Sequence, residues 1–206
     1  MAYRINNQLT FLHVSKAAGT SITDAIKENF NWEYSGREHD HYDDLPEEWR
    51  DHVFCVARNP YDRVVSFYHY AIKVMTKKMK KHPTSKMMSQ IAILNQGFKH
   101  YVMHCQNKFF AKRPGQEDKG GVSAWTKKQQ LNWHPQQGGS IQILRFENLQ
   151  EDFTSLLKQH RLKNVELPTL NASKRDRDYR QYYDAETRAE VEKFYLKDIE
   201  QLGYTF

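Results

Sequence analysis

The sequence predicts an α/β fold, namely a three-layer, P-loop-like parallel sheet flanked by helices. Three short apolar runs in different parts of the chain are each followed by apolar residues at helical spacing. The first two runs end in polar loops that lead directly into a helix. Strands that alternate with helices form parallel sheets, and such sheets bind ligands at the carboxyl ends of their strands. Function is therefore expected in the loops that follow the strands.

The composition is that of a globular chain with an excess of positive charge. The 206 residues are 39% hydrophobic and 13% aromatic, and the net charge is +6. This length predicts a single domain over residues 1–206, with a core large enough to need no disulfides. The charge favours an anionic partner such as a nucleotide, an acidic polysaccharide or a nucleic acid, although a solvated lysine-rich surface would give the same balance.

Cysteine usage and hydropathy predict a cytoplasmic location. Cys55 and Cys105 are the two cysteines, and both are expected to be free thiols rather than a disulfide pair. No run approaches the roughly 20 apolar residues that cross a bilayer, so membrane insertion is not expected. The polar N-terminus and the short first apolar run do not fit a signal peptide.

The first polar loop, residues 15–21, has the composition of a phosphate-binding turn. It has the sequence Ser-Lys-Ala-Ala-Gly-Thr-Ser and lies between a predicted strand at 9–14 and a predicted helix. Small side chains let backbone N–H groups approach phosphate oxygens, while the helix N-terminus and the lysine supply positive charge. The lysine precedes the glycine, unlike the order in G-x-x-x-x-G-K-[ST], and no acidic residue ends the second strand to hold magnesium. A purely structural turn is the alternative.

The second polar loop follows a predicted strand at 53–57. Arg58 stands at the strand end, Asn59 is a suitable N-cap, and Pro60 suits the first position of the next helix. Ser66 lies two turns along that helix, so an arginine and a hydroxyl are available to bind a phosphate group. The alternative is that Arg58 pairs with Asp62 or with a carbonyl, and that Ser66 is packed within the helix.

The remaining elements are predicted from apolar spacing and capping residues. A third strand is expected at 141–145, and residues 148–151 resemble a capping box before the next helix. Asp184 is expected to cap the last helix, which ends before Gly203. Residues 77–86 are predicted to form a basic loop, followed by a helix from about 85 to 104 and a loop at 109–121.

The two polar loops together resemble those of the sulfotransferases that use 3′-phosphoadenosine 5′-phosphosulfate (PAPS). Residues 11–22, FLHVSKAAGTSI, are similar to the family's 5′-phosphosulfate loop, and residues 56–68, VARNPYDRVVSFY, to its 3′-phosphate element. The resemblance continues through 144–149 and 182–184, and is strongest to small bacterial members and to carbohydrate sulfotransferases such as heparan sulfate 2-O-sulfotransferase. Ser15 replaces a usual proline and Ala17 a common threonine, but neither change removes a charge.

The resemblance implies the sulfotransferase fold, a PAPS co-substrate with the bisphosphate PAP as product, and no metal. Lys16 would act on the oxygen that bridges phosphate and sulfur, because that oxygen gains negative charge as the bond to sulfur breaks. Backbone N–H groups of the first loop would hold the 5′-phosphate, and two residues of the second loop the 3′-phosphate. The implied nucleotide-binding residues are Lys16, Ala18, Gly19, Thr20, Ser21, Ile22, Arg58 and Ser66.

The resemblance also implies a base that takes the proton of an acceptor hydroxyl, with a carbohydrate as one candidate acceptor. His39 and His41 are the candidates, and His39 is favoured because it precedes a pattern like that of the family. The alternative is that both are surface histidines, while His13 is expected to be a core residue of the first strand. Trp125, Trp133 and His134 could stack on a sugar, although aromatic residues more often pack in a core. Residues 174–177 are expected to close over the nucleotide or to meet the acceptor, and a solvated charge run is the alternative.

Two other function classes fit parts of the sequence. A small-molecule kinase with an atypical phosphate loop would bind ATP and need magnesium, which the position of Lys16 and the missing carboxylate argue against. A basic nucleic-acid-binding module would carry a stripe of basic and aromatic residues, whereas the basic residues are dense only at 77–86 and 174–180. No nucleic-acid partner is therefore expected.

Overall fold

The computed structural model describes residues 1–36, 40–81, 83–84, 88, 91–92, 94–107, 129–135, 138–168, 170 and 175–206. The strands in these ranges are β1 (Ala2–Ile5), β2 (Leu9–Leu12), β3 (Trp32–Tyr34), β4 (Val53–Ala57) and β5 (Ile141–Arg145). The helices with stated bounds are α1 (Gly19–Asn29), α2 (Pro60–Lys81), α3 (Phe98–Asn107), α4 (Leu149–Gln159) and α5 (Ala185–Leu202).

The five strands form one mixed sheet in the order β3-β1-β2-β4-β5. Strands β2, β4 and β5 are parallel neighbours, while β1 is antiparallel to both β2 and β3. The α/β fold with helices flanking parallel strands is thus confirmed, but the prediction of a wholly parallel sheet is wrong at β1. Because β1 opposes both of its neighbours, β3 runs in the same direction as β2. The carboxyl ends of β2, β3, β4 and β5 therefore lie at the same edge of the sheet.

The sequence did not predict strands β1 and β3, because polar residues interrupt their apolar pattern. Arg4 lies within β1, yet it is buried because its guanidinium donates to Asp51 at 2.6 Å and to Thr10 at 3.0 Å. Strand β3 is an edge strand whose three residues are all exposed, so it lacks the apolar alternation of a half-buried strand. Strand β1 pairs with the nearby β2, whereas β3 pairs with β1, which is distant from it in the sequence.

By density of contacts, the chain divides into two compact units. The first comprises residues 1–58 and 130–172, with the sheet, α1 and α4 around a core that includes Phe11, Phe54 and Phe153. The second comprises 59–129 and 173–206, where α2, α3 and α5 contribute to a separate core rich in aromatic residues. The chain passes between the units more than once, and the single-domain organisation stays a prediction.

The predicted helix ends are partly confirmed. Helix α2 begins at Pro60, and the Asn59 side-chain oxygen accepts from the Tyr61 N–H at 3.0 Å, as an N-cap does. Asp184 caps α5 by accepting from the Thr187 N–H at 2.8 Å, and Gly203 ends that helix at a φ of 65°.

Other predicted boundaries are wrong. Strand β2 ends at Leu12 rather than at residue 14, and Asn148 makes no side-chain capping bond. Helix α2 continues to Lys81, through much of the predicted basic loop, because lysine and methionine are good helix formers. The predicted helix at 85–104 is interrupted at Gly97, whose φ of 101° lies in the left-handed region, and α3 begins after it. The predicted loop at 109–121 lies outside the described residues.

Candidate functional site

The loop between β2 and α1 has an uncommon backbone. Lys16 has a φ of 63° and Ala18 a φ of 56°, although neither is glycine. A left-handed residue with a Cβ costs of order 1–2 kcal/mol, so two of them persist only where the surrounding structure fixes them. A left-handed residue next to a right-handed one turns successive backbone N–H groups toward the same side. This geometry binds anions. The backbone conformation therefore favours a phosphate-binding loop over a purely structural turn.

The N-terminus of α1 opens directly from this loop. The helix begins at Gly19, its N-cap residue Ala18 provides no side-chain capping bond, and its first turn has no acidic residue. The first N–H groups of a helix have no acceptor within the helix, so those of Gly19, Thr20 and Ser21 are available to an anion. The Ile22 N–H instead donates to the Ala18 carbonyl at 3.2 Å, and the Ile22 side chain is buried. A nucleotide contact at Ile22 stays a prediction.

His13 lies at this loop and not within a strand. It follows the last residue of β2, is half-buried, and presents its ring to Gly19. A Cβ added at Gly19 would be 2.0 Å from the His13 Nε2 atom, far inside contact distance. The prediction of a core histidine within the first strand is therefore wrong. The ring stands at the start of α1.

Arg58, at the end of β4, is fixed against the same loop. Its guanidinium donates to the Lys16 carbonyl at 3.1 Å and lies 4.0 Å from the centroid of the Phe146 ring. Gln130 accepts from the Arg58 N–H at 2.9 Å and donates to the Arg58 carbonyl at 2.8 Å. Arg58 is only 7% exposed, so its charge has little freedom to move. Arg58 therefore bonds a carbonyl, which was one of the two structural partners that the sequence suggested for it. Its contact with a phosphate stays a prediction.

The other residues of the second motif belong to the second unit. Asp62 pairs with Arg175 and both side chains are largely buried, so Arg175 does not belong to a solvated charge run. Ser66 is half-buried on α2, rather than packed fully within it. Its proposed action together with Arg58 is a prediction. Lys174 lies outside the described residues.

The histidine candidates follow β3, which ends at the same edge as β2. His39 lies outside the described residues, and its role stays a prediction. His41 is half-buried, its N–H donates to the Asp44 carboxylate at 3.0 Å, and its ring meets Trp133 edge-on at 5.6 Å between centroids. Asp40 is 1% exposed and its carboxylate accepts from the Ser35 hydroxyl. His41 is therefore fixed by its neighbours rather than being a freely solvated surface histidine.

The comparison with known families decides the class of this protein. The model described as "Sulfotransferase family" matches residues 3–205. The chain belongs to the sulfotransferase family. Nothing among the curated proteins or the solved structures matches it. The protein is thus a transferase whose general activity is sulfuryl transfer, and its specific branch within the family stays a prediction.

The sulfotransferase brings together some predicted site residues and not others. Lys16, the start of α1 and Arg58 meet in the first unit at the carboxyl edge of the sheet. Trp133 is 1% exposed, so its predicted stacking on a sugar is wrong and its core alternative is confirmed. His134 is half-buried, with Nε2 3.9 Å from the Cys55 Sγ atom. Trp125 lies outside the described residues.

Two residues that hold Arg58 were not singled out from the sequence. Gln130 bonds both backbone groups of Arg58, and Phe146 packs against its guanidinium. Their neighbours in space are far away in the sequence, so no local pattern marks them. Apolar spacing could have flagged Phe146 only as the residue that follows β5.

Cysteine chemistry and other absences complete the description. Cys55 is a buried free thiol, and burial raises the pKa of that thiol to about 12, so it is a poor nucleophile. Cys105 lies in α3. Within the described ranges, no helix is long and apolar enough to cross a membrane. In that same part of the chain, no three His, Cys, Asp or Glu side chains are grouped as a metal site would require.

Proposed function

We propose that this sulfotransferase moves the sulfuryl group of PAPS to an acceptor hydroxyl. One observation carries the proposal: two left-handed residues that are not glycine present Lys16 and an uncapped helix N-terminus beside the buried Arg58. Each of the three features suits a phosphate or sulfate group. Sulfotransferases generally use PAPS, which carries two separate anionic groups.

The proposed roles divide the donor between the two loops. The N–H groups of Ala18 and of the first helical residues, Gly19 to Ser21, hold the 5′-phosphate. Those of the helical residues have no acceptor within the helix and lie at its positive end. Arg58 and Ser66 hold the 3′-phosphate. Lys16 acts on the bridging oxygen between phosphorus and sulfur. Its left-handed backbone and the bond from Arg58 to its carbonyl fix the start of its side chain.

The transfer itself is a displacement at sulfur. The acceptor oxygen attacks the sulfur, the bond from sulfur to the bridging oxygen breaks, and its electron pair stays on that oxygen. A lysine ammonium near this oxygen lowers the barrier, because the charge develops only as the bond breaks. The acceptor proton passes to a histidine base, for which His39 is favoured over His41. The products are a sulfate ester and PAP, and no metal takes part.

The acceptor is proposed to be a hydroxyl, with a carbohydrate as the leading candidate. The net charge of +6 is compatible with an acidic glycan. Because Trp133 is buried, sugar stacking on that residue no longer supports this choice. The support is therefore the charge and the resemblance of the two donor motifs to those of carbohydrate sulfotransferases.

Thermal unfolding with different nucleotides tests the donor assignment. PAP at a hundred times its dissociation constant should stabilise the protein by about 2.7 kcal/mol, while AMP and ATP at equal concentration should do much less. The measurement is repeated with magnesium, because a kinase would respond to ATP with magnesium. No stabilisation by PAP, or an equal response to AMP, would exclude the proposed donor.

A further inference from the structure

The His13 side chain is fixed by the sheet on one side. Its backbone N–H donates to the Met1 carbonyl at 2.9 Å, which anchors the residue directly after β2. Its ring stacks on the buried Phe11, with 5.8 Å between centroids and 26° between planes. The Nδ1 atom is enclosed by protein. The imidazole therefore has a defined position relative to the end of β2.

The opposite edge of the same ring meets the first residue of α1. A Cβ built at Gly19 would lie 2.0 Å from Nε2 and 2.1 Å from Cδ2 of His13. Non-bonded carbon and nitrogen atoms pack at roughly 3.5–4.0 Å, so even one methyl group cannot fit there. With the histidine in this position, residue 19 has to be glycine.

Backbone conformation does not explain this glycine. The left-handed positions of the loop are Lys16 and Ala18, whereas Gly19 already has the backbone of a helix. An ordinary residue could adopt the conformation at position 19 without strain. The space taken by the His13 ring is therefore the reason for the glycine. The two residues form a matched pair, one large and one without a side chain.

We propose that His13 is a positioning residue that sets the first turn of α1 for the donor nucleotide. The ring joins the rigid end of β2 to Gly19, and so fixes the N–H groups of Gly19, Thr20 and Ser21 relative to Lys16. A binding site needs its groups held to about 0.5 Å, and an error near 1 Å can cost a hundredfold in rate. This inference rests on the proposed function, because it assumes that these N–H groups bind the 5′-phosphate.

The test is a double-mutant cycle on the matched pair, read by PAP affinity. Gly19→Ala should weaken PAP binding at least tenfold, because the methyl group displaces either the ring or the first turn. His13→Ala should weaken it about three- to tenfold, because Gly19 loses its support. The double variant should bind PAP at least tenfold more tightly than Gly19→Ala, since the methyl group then occupies vacated space. Calorimetry gives the dissociation constants, and thermal unfolding without ligand is recorded for all variants.

The control is Ala25→Gly, a buried position later in α1. It should lower the unfolding temperature through helix propensity while leaving PAP affinity unchanged. A merely structural role for His13 predicts coupling in unfolding temperature with additive effects on PAP affinity, and that result would overturn the inference. Wild-type affinity in Gly19→Ala would also overturn it. Failure of the wild-type protein to bind PAP would instead remove the proposed donor, an outcome that is separate from these.

Discussion

The two edges of the sheet differ in what their polar residues do. At the amino edge, before β4 and β5, a cavity of about 330 Å³ is lined by residues that include Asp51, His52 and His160. At the carboxyl edge lie the loop of Lys16, the start of α1 and Arg58. The amino edge thus carries a cavity, and the carboxyl edge carries a strained backbone and an uncapped helix.

The two edges also differ in how their polar groups and backbone are held. At the amino edge, Arg4 donates to Asp51 at 2.6 Å, and the His52 and His160 rings meet edge-on at 4.9 Å between centroids. At the carboxyl edge, Lys16 and Ala18 have left-handed conformations, which cost free energy for residues that carry a Cβ. An anion bound to the available N–H groups would offset the free-energy cost of this strained backbone. The following experiments test whether chemistry belongs to one edge alone.

The largest effect is expected from Lys16→Met, which keeps most of the side-chain volume and removes the charge. We expect kcat for transfer from PAPS to fall about 10²–10³-fold, because the leaving oxygen loses its stabilising cation. PAP affinity should change less than tenfold, because backbone N–H groups still hold the phosphate. Turnover is measured with a saturating acceptor, and PAP binding by calorimetry.

The matched variant at the opposite edge is His52→Gln. It removes a titratable ring from the amino-edge cavity and should leave turnover within twofold of wild type, because it lies at the edge away from the donor loop. A large loss of kcat in His52→Gln, together with near-normal turnover in Lys16→Met, would reverse the assignment of the two edges.

The next effect concerns the second anionic group of the donor. Arg58→Met keeps an unbranched side chain against Phe146 and removes the guanidinium. PAP affinity should fall about 10–100-fold, since a hydrogen bond to a charged group contributes roughly 1.5–3 kcal/mol. AMP affinity should fall much less, because AMP lacks the 3′-phosphate. Equal losses for PAP and AMP, measured by calorimetry, would mean that Arg58 supports the Lys16 loop and does not bind the 3′-phosphate.

The sequence predicted most where local patterns are strong. Strands β4 and β5 were predicted with their observed bounds because each is a short run rich in branched apolar residues. The N-cap at Asn59 was predicted because Pro60 follows it. Lys16 and Arg58 were found because charged residues just after strands are conspicuous, and in the structure the Arg58 guanidinium donates to the Lys16 carbonyl.

The parts that the sequence could not predict depend on contacts between distant residues. Strand β1 contains Arg4, whose burial is possible only because Asp51 neutralises it from a distant part of the chain. The left-handed backbone of Lys16 could not be predicted, because such conformations are normally inferred from glycine. The contact between His13 and Gly19 is close in sequence, but it depends on where β2 ends. That boundary was placed two residues too late.

The smallest expected effect is the pH dependence of stability at the amino edge. Burial lowers the pKa of His160, and the nearby His52 lowers it further, against an opposing contribution from Asp51. The folded protein therefore binds fewer protons than the unfolded chain below about pH 6.5, the ordinary value for histidine. Stability should thus be lost as the pH falls from that value through the lower pKa of the folded state. Because His160 is partly exposed, the loss should stay below about 1 kcal/mol.

The variant His160→Gln should weaken this dependence without changing turnover. Urea unfolding of both proteins at pH 7.5 and pH 5.5 gives the difference, and Lys158→Gln, near the end of α4, is the control, because it changes a neighbouring polar side chain without removing a histidine. Part of the dependence should survive, because the pKa of His69 in α2 is also lowered by burial. If His160→Gln removed turnover at pH 7.5, the amino edge would take part in catalysis, and the contrast between the two edges would not hold.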